Sequence, residues 1–107
     1  MDRLEQLEQF LKEQPRDEFL RYAIAQEYQK LGILDKSQAM YEQLLKDSPE
    51  YTATYYHLGK LYEKIGKKEE AKSIYKLGIE LTEKSKEART NSELKAALLE
   101  LEYEDLI

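Results

Sequence analysis

The stretch Glu42–Tyr75, EQLLKDSPEYTATYYHLGKLYEKIGKKEEAKSIY, decides the fold because much of it occurs twice in the chain, at an offset of 34 residues. The segment EQFLKEQP at Glu8–Pro15 aligns with EQLLKDSP at Glu42–Pro49, and five of the eight residues are identical. Five individual residues also recur at this offset. They are Tyr22, Tyr28, Lys30, Gly32 and Tyr41, which match Tyr56, Tyr62, Lys64, Gly66 and Tyr75. A fixed period of this length is typical of proteins built from repeated structural units.

The composition favours helices throughout the chain. The 107 residues are enough for one small domain, and 41% of them are hydrophobic while 36% are charged. Leu, Glu, Lys, Ala and Gln dominate, Val is absent, and there are only two Pro and four Gly. No segment alternates between apolar and polar residues in the way of a half-buried strand, so an all-α fold without a sheet is predicted.

Charge and residue usage argue against several classes of function. The net charge of −5 opposes general binding to nucleic acid, which requires a positive surface. The chain has no Cys, which removes disulfides, thiolate catalysis and cysteine-based zinc sites. No apolar run approaches the roughly 18 residues needed to span a bilayer, and the first residues are charged. We therefore expect a cytoplasmic protein without membrane contact, cofactor, metal or small-molecule substrate.

Three helices are predicted in the first half, at about 3–14, 18–31 and 35–47. Asp2, Asp17 and Asp35 are the predicted N-caps, because a carboxylate can accept from the free backbone N–H groups of the first turn. Pro15 and Pro49 end the first and third helices, since the residue before a proline is disfavoured in helical conformation. Gly32 is predicted to end the second helix in the left-handed conformation.

Three more helices are predicted in the second half. The fourth covers about 52–65 and ends at Gly66, and the fifth begins near residue 67. Glu83 stands where a third proline would fall, so the fifth helix is predicted to run on, as far as about residue 88. The last helix is predicted to begin near 90–92, because Thr90 and Glu93 have the spacing of a capping box. Its acidic end, EYEDLI, is expected to fray.

Residues 52–85 resemble a tetratricopeptide repeat, whose 34-residue pattern asks for aromatic, small and turn-forming residues at set positions. The matching residues are Tyr55, Leu58, Gly59, Tyr62, Gly66, Ala71, Tyr75 and Gly78, with Glu83 in place of the usual proline. Residues 18–51 are a weaker copy that departs from the pattern at Arg21 and Leu44. Residues 1–17 look like half of a preceding repeat, and 86–107 like a capping helix. The resemblance implies one domain, a right-handed array of antiparallel helix hairpins with about six helices.

The resemblance also implies a concave groove lined by the first helix of each repeat. The predicted peptide-binding residues are Phe19, Tyr22, Gln26, Gln29, Lys30, Tyr56, Lys60, Glu63 and Lys64. Tyr22 and Tyr56 occupy equivalent positions, so their rings can serve as rigid anchors while the lysines meet carboxylates of a peptide. The alternative is an ordinary solvated helix face. The Lys/Asn/Arg clamp by which some members bind a C-terminal carboxylate is absent, since Tyr22, Gln26 and His57 stand at the equivalent positions.

Residues that could support catalysis are isolated or lie on helix faces that are predicted to be solvent-exposed. His57 is the only histidine, and no Cys or second His can join it. Neighbouring carboxylates such as Glu69 and Glu70 fall at a helix start without an apolar pocket that would tune their acidity. No catalytic or metal-binding residue is therefore predicted.

A local basic patch is formed by Lys64, Lys67, Lys68, Lys72 and Lys76. Lys68, Lys72 and Lys76 are spaced to share one helix face and could meet an acidic partner or RNA. The favoured interpretation is a solvated face whose lysines pair with Glu69, Glu70 and Glu80.

Together these features predict a non-catalytic module for protein–protein interaction that binds a peptide or protein segment in the groove. A second hypothesis is a structural unit that forms homo-oligomers through its end helices. In that case the apolar stripe of the first helix, Leu4, Leu7, Phe10 and Leu11, should be exposed and form an interface.

Overall fold

The computed structural model describes residues 2–107, which contain six α-helices and no strand. The helices are α1 (Arg3–Glu13), α2 (Glu18–Lys30), α3 (Leu34–Asp47), α4 (Ala53–Lys64), α5 (Lys68–Ser85) and α6 (Ala88–Glu104). The chain divides into two compact units, the first ending at Tyr51 and the second running from Thr52 to Ile107. This division falls at the boundary predicted between the two repeats.

The first unit is built around α2, which packs against both α1 and α3. Leu7, Ala23 and Ile24 are the buried residues where α1 meets α2. Leu4 and Leu11 pack against this cluster and are partly buried, whereas Phe10 remains 57% exposed. The prediction of an uncovered apolar stripe on the first helix is therefore wrong except at Phe10, because α2 covers the other residues.

Helix starts in the first unit follow the predicted caps in two cases out of three. The carboxylates of Asp2 and Asp17 accept hydrogen bonds from the backbone N–H groups of Glu5 and Leu20, both at 2.8 Å. The third prediction is wrong, since α3 begins one residue before Asp35 and no side chain caps it. Asp35 instead lies in the first turn, where its charge is favourable next to the positive end of the helix dipole.

The second unit contains α4, α5 and α6, each of which packs against the other two. Its fully buried residues include Leu58 and Leu61 of α4, Ala71 and Tyr75 of α5, and Leu94 of α6. The α2–α3 and α4–α5 turns have the same form. Gly32 and Gly66 adopt φ of 78° and 82°, as the sequence predicts, and the next residue donates its N–H back into the helix end.

Small residues let the paired helices approach closely. In the first unit the hydroxyl of Ser37 donates to the backbone carbonyl of Ala25 at 2.7 Å, and both residues are fully buried. In the second unit a Cβ added at Gly59 would lie 2.1 Å from Cε1 of Tyr75. The Tyr75 ring thus lies directly on the backbone of α4, where any side chain at residue 59 would be.

The turn between α5 and α6 differs from the prediction of a last helix beginning near Thr90. Helix α5 does continue past Glu83 but ends at Ser85, and Lys86 takes a left-handed conformation with φ of 61°. Helix α6 then begins at Ala88 without a side-chain cap. Glu87 fixes this turn, because its carboxylate accepts hydrogen bonds from the hydroxyls of Ser85 and Thr52, which hold its pKa below the usual range.

Candidate functional site

The predicted binding residues of the first repeat lie on α2 and differ in exposure. Phe19 is 60% exposed and Lys30 is also exposed, while Tyr22, Gln26 and Gln29 are half-buried. These side chains belong to one helix and are placed by its packing against α1 and α3. The first unit therefore presents an aromatic residue to solvent at the start of α2 and polar residues further along.

An aromatic cluster surrounds Tyr22. The centroid of its ring lies 6.4 Å from that of Phe19, 6.4 Å from that of Tyr41 and 5.9 Å from that of Tyr51. The contact with Tyr51 is edge-on, as aromatic pairs prefer. Sequence reasoning missed Tyr51, because it lies in the loop after Pro49 and belongs to no helical periodicity.

Tyr41 is the buried member of this cluster. Its side chain is fully buried, and its hydroxyl has no hydrogen-bond partner among residues 2–107. Burial, together with the nearby Tyr22, raises its pKa well above the ordinary value. A buried hydroxyl without a partner carries a desolvation penalty, so this position is a local weakness of the first unit.

The predicted binding residues of the second repeat lie on α4. Tyr56, Lys60 and Glu63 are half-buried, and Lys64 is exposed. The Lys60 ammonium lies 5.7 Å from the centroid of the Tyr56 ring and 3.6 Å from Oε2 of Glu63. These distances place a cation over an aromatic face and beside a carboxylate. Lys60 is thus engaged on both sides within its own helix.

Glu63 also serves the core of the second unit. The buried hydroxyl of Tyr75 donates to its carboxylate, and this bond adds to burial in raising the pKa of Tyr75. The sequence analysis assigned Glu63 to the peptide-binding groove. It did not predict that Glu63 accepts a hydrogen bond from Tyr75. The corresponding pair in the first repeat is Tyr41 and Gln29, which do not form such a bond.

Arg21, which departs from the family pattern, has a specific partner. Its guanidinium is largely buried and donates to the Asp47 carboxylate at 2.7 Å, which lowers the pKa of Asp47. Arg21 and Asp47 line a cavity of about 350 Å³ together with Arg16 and Ser48. An ion pair thus joins α2 and α3 at a position where the second repeat has the buried Tyr55.

The basic patch is partly neutralised by the end of α6. Lys68 contacts Asp105 at 2.7 Å and Glu104 at 3.4 Å, and Lys72 contacts Asp105 and, at 3.5 Å, Glu69. Among the predicted partners only Glu69 forms such a pair in the described chain, and the acidic partners on α6 were missed. The same contacts lower the pKa of Asp105.

His57 lies half-buried on α4, with its ring edge-on to Tyr56 at 5.4 Å between centroids. Burial lowers its pKa, so its neutral form is favoured. Within residues 2–107 no three His, Cys, Asp or Glu side chains are grouped so that they could hold a metal ion. Likewise, no helix in this range is long and apolar enough to cross a membrane.

Comparisons with known proteins agree with this geometry. The family model for the tetratricopeptide repeat matches residues 20–51 and 52–85. The chain is similar to a tetratricopeptide repeat domain protein from Salinibacter ruber, with 41% identity to its solution NMR structure and a TM-score of 0.79. That match covers 82% of this chain and 89% of the other. A crystal structure of a tetratricopeptide repeat domain protein from the same organism is also 41% identical, covers 80% and 97%, and has a TM-score of 0.77.

A protein from Bordetella parapertussis shares the fold. Its solution structure has a TM-score of 0.85 at 22% identity, over 98% of this chain and 91% of that one. No curated protein matches the sequence.

A protein built from such 34-residue helix pairs is a helical repeat protein, a class whose members bind other macromolecules on the faces of their helices. This chain belongs to the tetratricopeptide repeat family, as the two matched repeats show. Proteins with this fold are in general non-catalytic modules for protein–protein interaction.

Proposed function

We propose that this chain binds a peptide or protein segment through the outward faces of α2 and α4, and that it does so without catalysis. The observation that supports this most directly is the exposure of equivalent aromatic residues. Tyr22 and Tyr56 are half-buried, whereas Tyr55, next to Tyr56, is only 2% exposed. Tyr55 is thus a core residue of the second unit, whereas part of each of the other two rings faces solvent.

The chemistry of both faces suits peptide recognition. Tyrosine offers a large apolar surface with few rotatable bonds, so its side chain loses little conformational entropy when a ligand binds to it. On α2 the polar neighbours are Gln26 and Gln29, and on α4 they are Lys60 and Lys64. Amide and ammonium groups at these positions can bond to backbone or acidic groups of an extended chain.

The first test is a binding measurement on the double variant Tyr22→Ala/Tyr56→Ala. Peptides selected from a random display library against the whole chain are titrated calorimetrically into wild type and variant. We expect the dissociation constant to rise at least about tenfold, since buried interface tyrosines are frequent hot spots. Phe10→Ala, which removes an exposed aromatic residue from α1, is the matched control and should bind normally.

Unchanged binding by the double variant would contradict the proposed faces. Circular dichroism of both variants must first show the same helix content, because loss of folding would also reduce affinity. If the control weakens binding instead, the ligand occupies α1 and the proposal fails in the same way.

A second function, self-association, is favoured by the outward face of α6. Leu99 and Tyr103 are one helical turn apart and are 67% and 60% exposed, and they line a shallow apolar depression together with Glu100 and Glu104. The first half of α6 carries Arg89 and Lys95, each in an ion pair with a glutamate of this unit, while its end is acidic. Two copies of α6 packed antiparallel would bury the apolar residues and bring the arginine and lysine of each copy near the acidic end of the other.

Sedimentation equilibrium tests this pairing. We expect a dimer at high concentration for wild type and a monomer for Leu99→Lys/Tyr103→Lys, because four ammonium groups, two from each copy, would have to be desolvated. Raising the salt concentration should weaken the dimer by screening the opposed charges. A wild-type monomer at millimolar concentration would exclude this function and leave the peptide-binding proposal intact.

A further inference from the structure

One part of the α2 face combines exposed rings with a carboxylate. Phe19, Tyr22 and Tyr51 form a row of rings with centroid separations of 6.4 Å and 5.9 Å, and we call these residues the aromatic row. Phe19 is mostly exposed and the two tyrosines are half-buried, so ring surface is open to solvent along the row. Aromatic faces carry negative electrostatic potential and attract cations.

Acidic groups stand at the same end of α2. Glu18 immediately precedes Phe19, and no Lys or Arg among residues 2–107 forms an ion pair with it. The charges of Glu18 and Asp17 reach Tyr51, whose pKa is raised first by burial and then by these two carboxylates. Asp17 is already used as the N-cap of α2, which leaves Glu18 as the carboxylate available to a ligand.

The second repeat contains an example of a cation lying over the equivalent ring. There Lys60 lies over Tyr56, the counterpart of Tyr22. The residue 34 positions before Lys60 is Gln26, which carries no charge. The first repeat therefore retains the ring position but has a neutral amide in place of the cation.

Two arginines lie near this end of α2, and the charge of one of them is neutralised. The charge of Arg21 is offset by Asp47, which it contacts at 2.7 Å. Arg16 is exposed and lies in the cavity with that ion pair. The chain as a whole carries a net charge of −5, which favours an approaching cation over an anion.

We infer that the aromatic row and Glu18 form a binding site for an arginine or lysine side chain of the peptide partner. The ring faces take the apolar stem and the delocalised charge of the cation, while Glu18 accepts its N–H groups. An acidic side chain is repelled at this place, and a neutral one lacks the carboxylate interaction. This inference rests on the proposed function, since it names the kind of residue that binds at the start of α2.

The test uses two small probes that differ mainly in charge, acetyl-arginine amide and acetyl-citrulline amide. Each is titrated into the ¹⁵N-labelled chain while amide chemical shifts are recorded. We expect arginine to shift the amides of residues 17–22 and Tyr51, and to bind roughly threefold to fivefold more tightly than citrulline. Glu18→Gln should reduce this difference to what the rings alone provide, while Glu13→Gln, with the same charge change on exposed α1, should preserve it in full.

Equal shifts with both probes, or shifts confined to other residues, would overturn the inference. Phe19→Ala provides a second variant, because Phe19 is exposed and its loss should not affect folding. The outcomes separate the two proposals. If library peptides bind the α2 face but neither Glu18→Gln nor exchange of arginine for citrulline affects them, only the cation site is wrong. If arginine binds here and no peptide does, the cation site stands and the peptide-binding function fails.

Discussion

The variant Gly59→Ala should be less stable than wild type by about 3 kcal/mol, one of the largest effects expected for so small a change. An alanine Cβ at this position would lie 2.1 Å from Cε1 and 2.6 Å from Cζ of Tyr75, far inside van der Waals contact. Tyr75 is fully buried and cannot swing away without moving its neighbours. Overpacking of a filled core typically costs 1–3 kcal/mol, and occasionally more. Urea denaturation followed by circular dichroism measures the loss.

Whether Gly59→Ala lowers or raises the stability shows whether packing against Tyr75 or helix propensity dominates. Alanine is the better helix former by about 1 kcal/mol, so a helix without the tyrosine contact would become more stable. Ala25 holds the equivalent position in the first repeat, and Ala25→Gly should cost at least about 1 kcal/mol, because helix propensity and a buried methyl group are both lost. The double variant Gly59→Ala/Tyr75→Leu should lose less than the sum of its single changes. Increased stability of Gly59→Ala would contradict the close contact.

The second large effect is a contrast between two equivalent tyrosines. Tyr75→Phe should destabilise the chain by about 2 kcal/mol, because the hydroxyl donates to the Glu63 carboxylate and bonds to charged groups are worth about 1.5–3 kcal/mol. Tyr41→Phe should be neutral or stabilising by about 1 kcal/mol, since it removes a buried hydroxyl that has no partner within residues 2–107. Both variants keep the ring and its packing, so each is the control for the other.

Alkaline titration gives this contrast a second readout. The folded state raises the pKa of both tyrosines above the ordinary value of about 10. Such a group contributes stability that is fully present below pH 10 and is lost as the pH rises further, because the unfolded state releases the proton first. Each phenylalanine variant should therefore lose less stability than wild type above about pH 10. Equal stabilities of the two variants at neutral pH would show that the two hydroxyls have equivalent surroundings.

The helix ends show which local features were predictable. Gly32 and Gly66 end α2 and α4 in the left-handed conformation, because that backbone geometry depends on the residue itself. The start of α6 was mispredicted at Thr90. Its position depends on Glu87, whose carboxylate is held by the hydroxyl of Thr52, 35 residues earlier.

In the candidate site, too, some features could be predicted from the sequence and others could not. The repeat period placed Tyr22 and Tyr56 at equivalent positions, and both are half-buried on their helices. Tyr51, 29 residues after Tyr22, could not be assigned to the aromatic row from its loop position. The function of Glu63 as acceptor for Tyr75 also required the packed structure, since residues 12 apart on different helices have no fixed spacing.

By itself, the sequence determined the all-α fold, the family and the places of the first four turns. These follow from the 34-residue period, from helical periodicity and from the backbone limits of proline and glycine, all of which act over short distances. Tertiary structure alone decided that α2 covers the leucines of α1, that Asp105 meets Lys68 and Lys72, and that Tyr75 is satisfied while Tyr41 is not. Those outcomes depend on how side chains that are far apart in sequence pack together and compensate one another's charge.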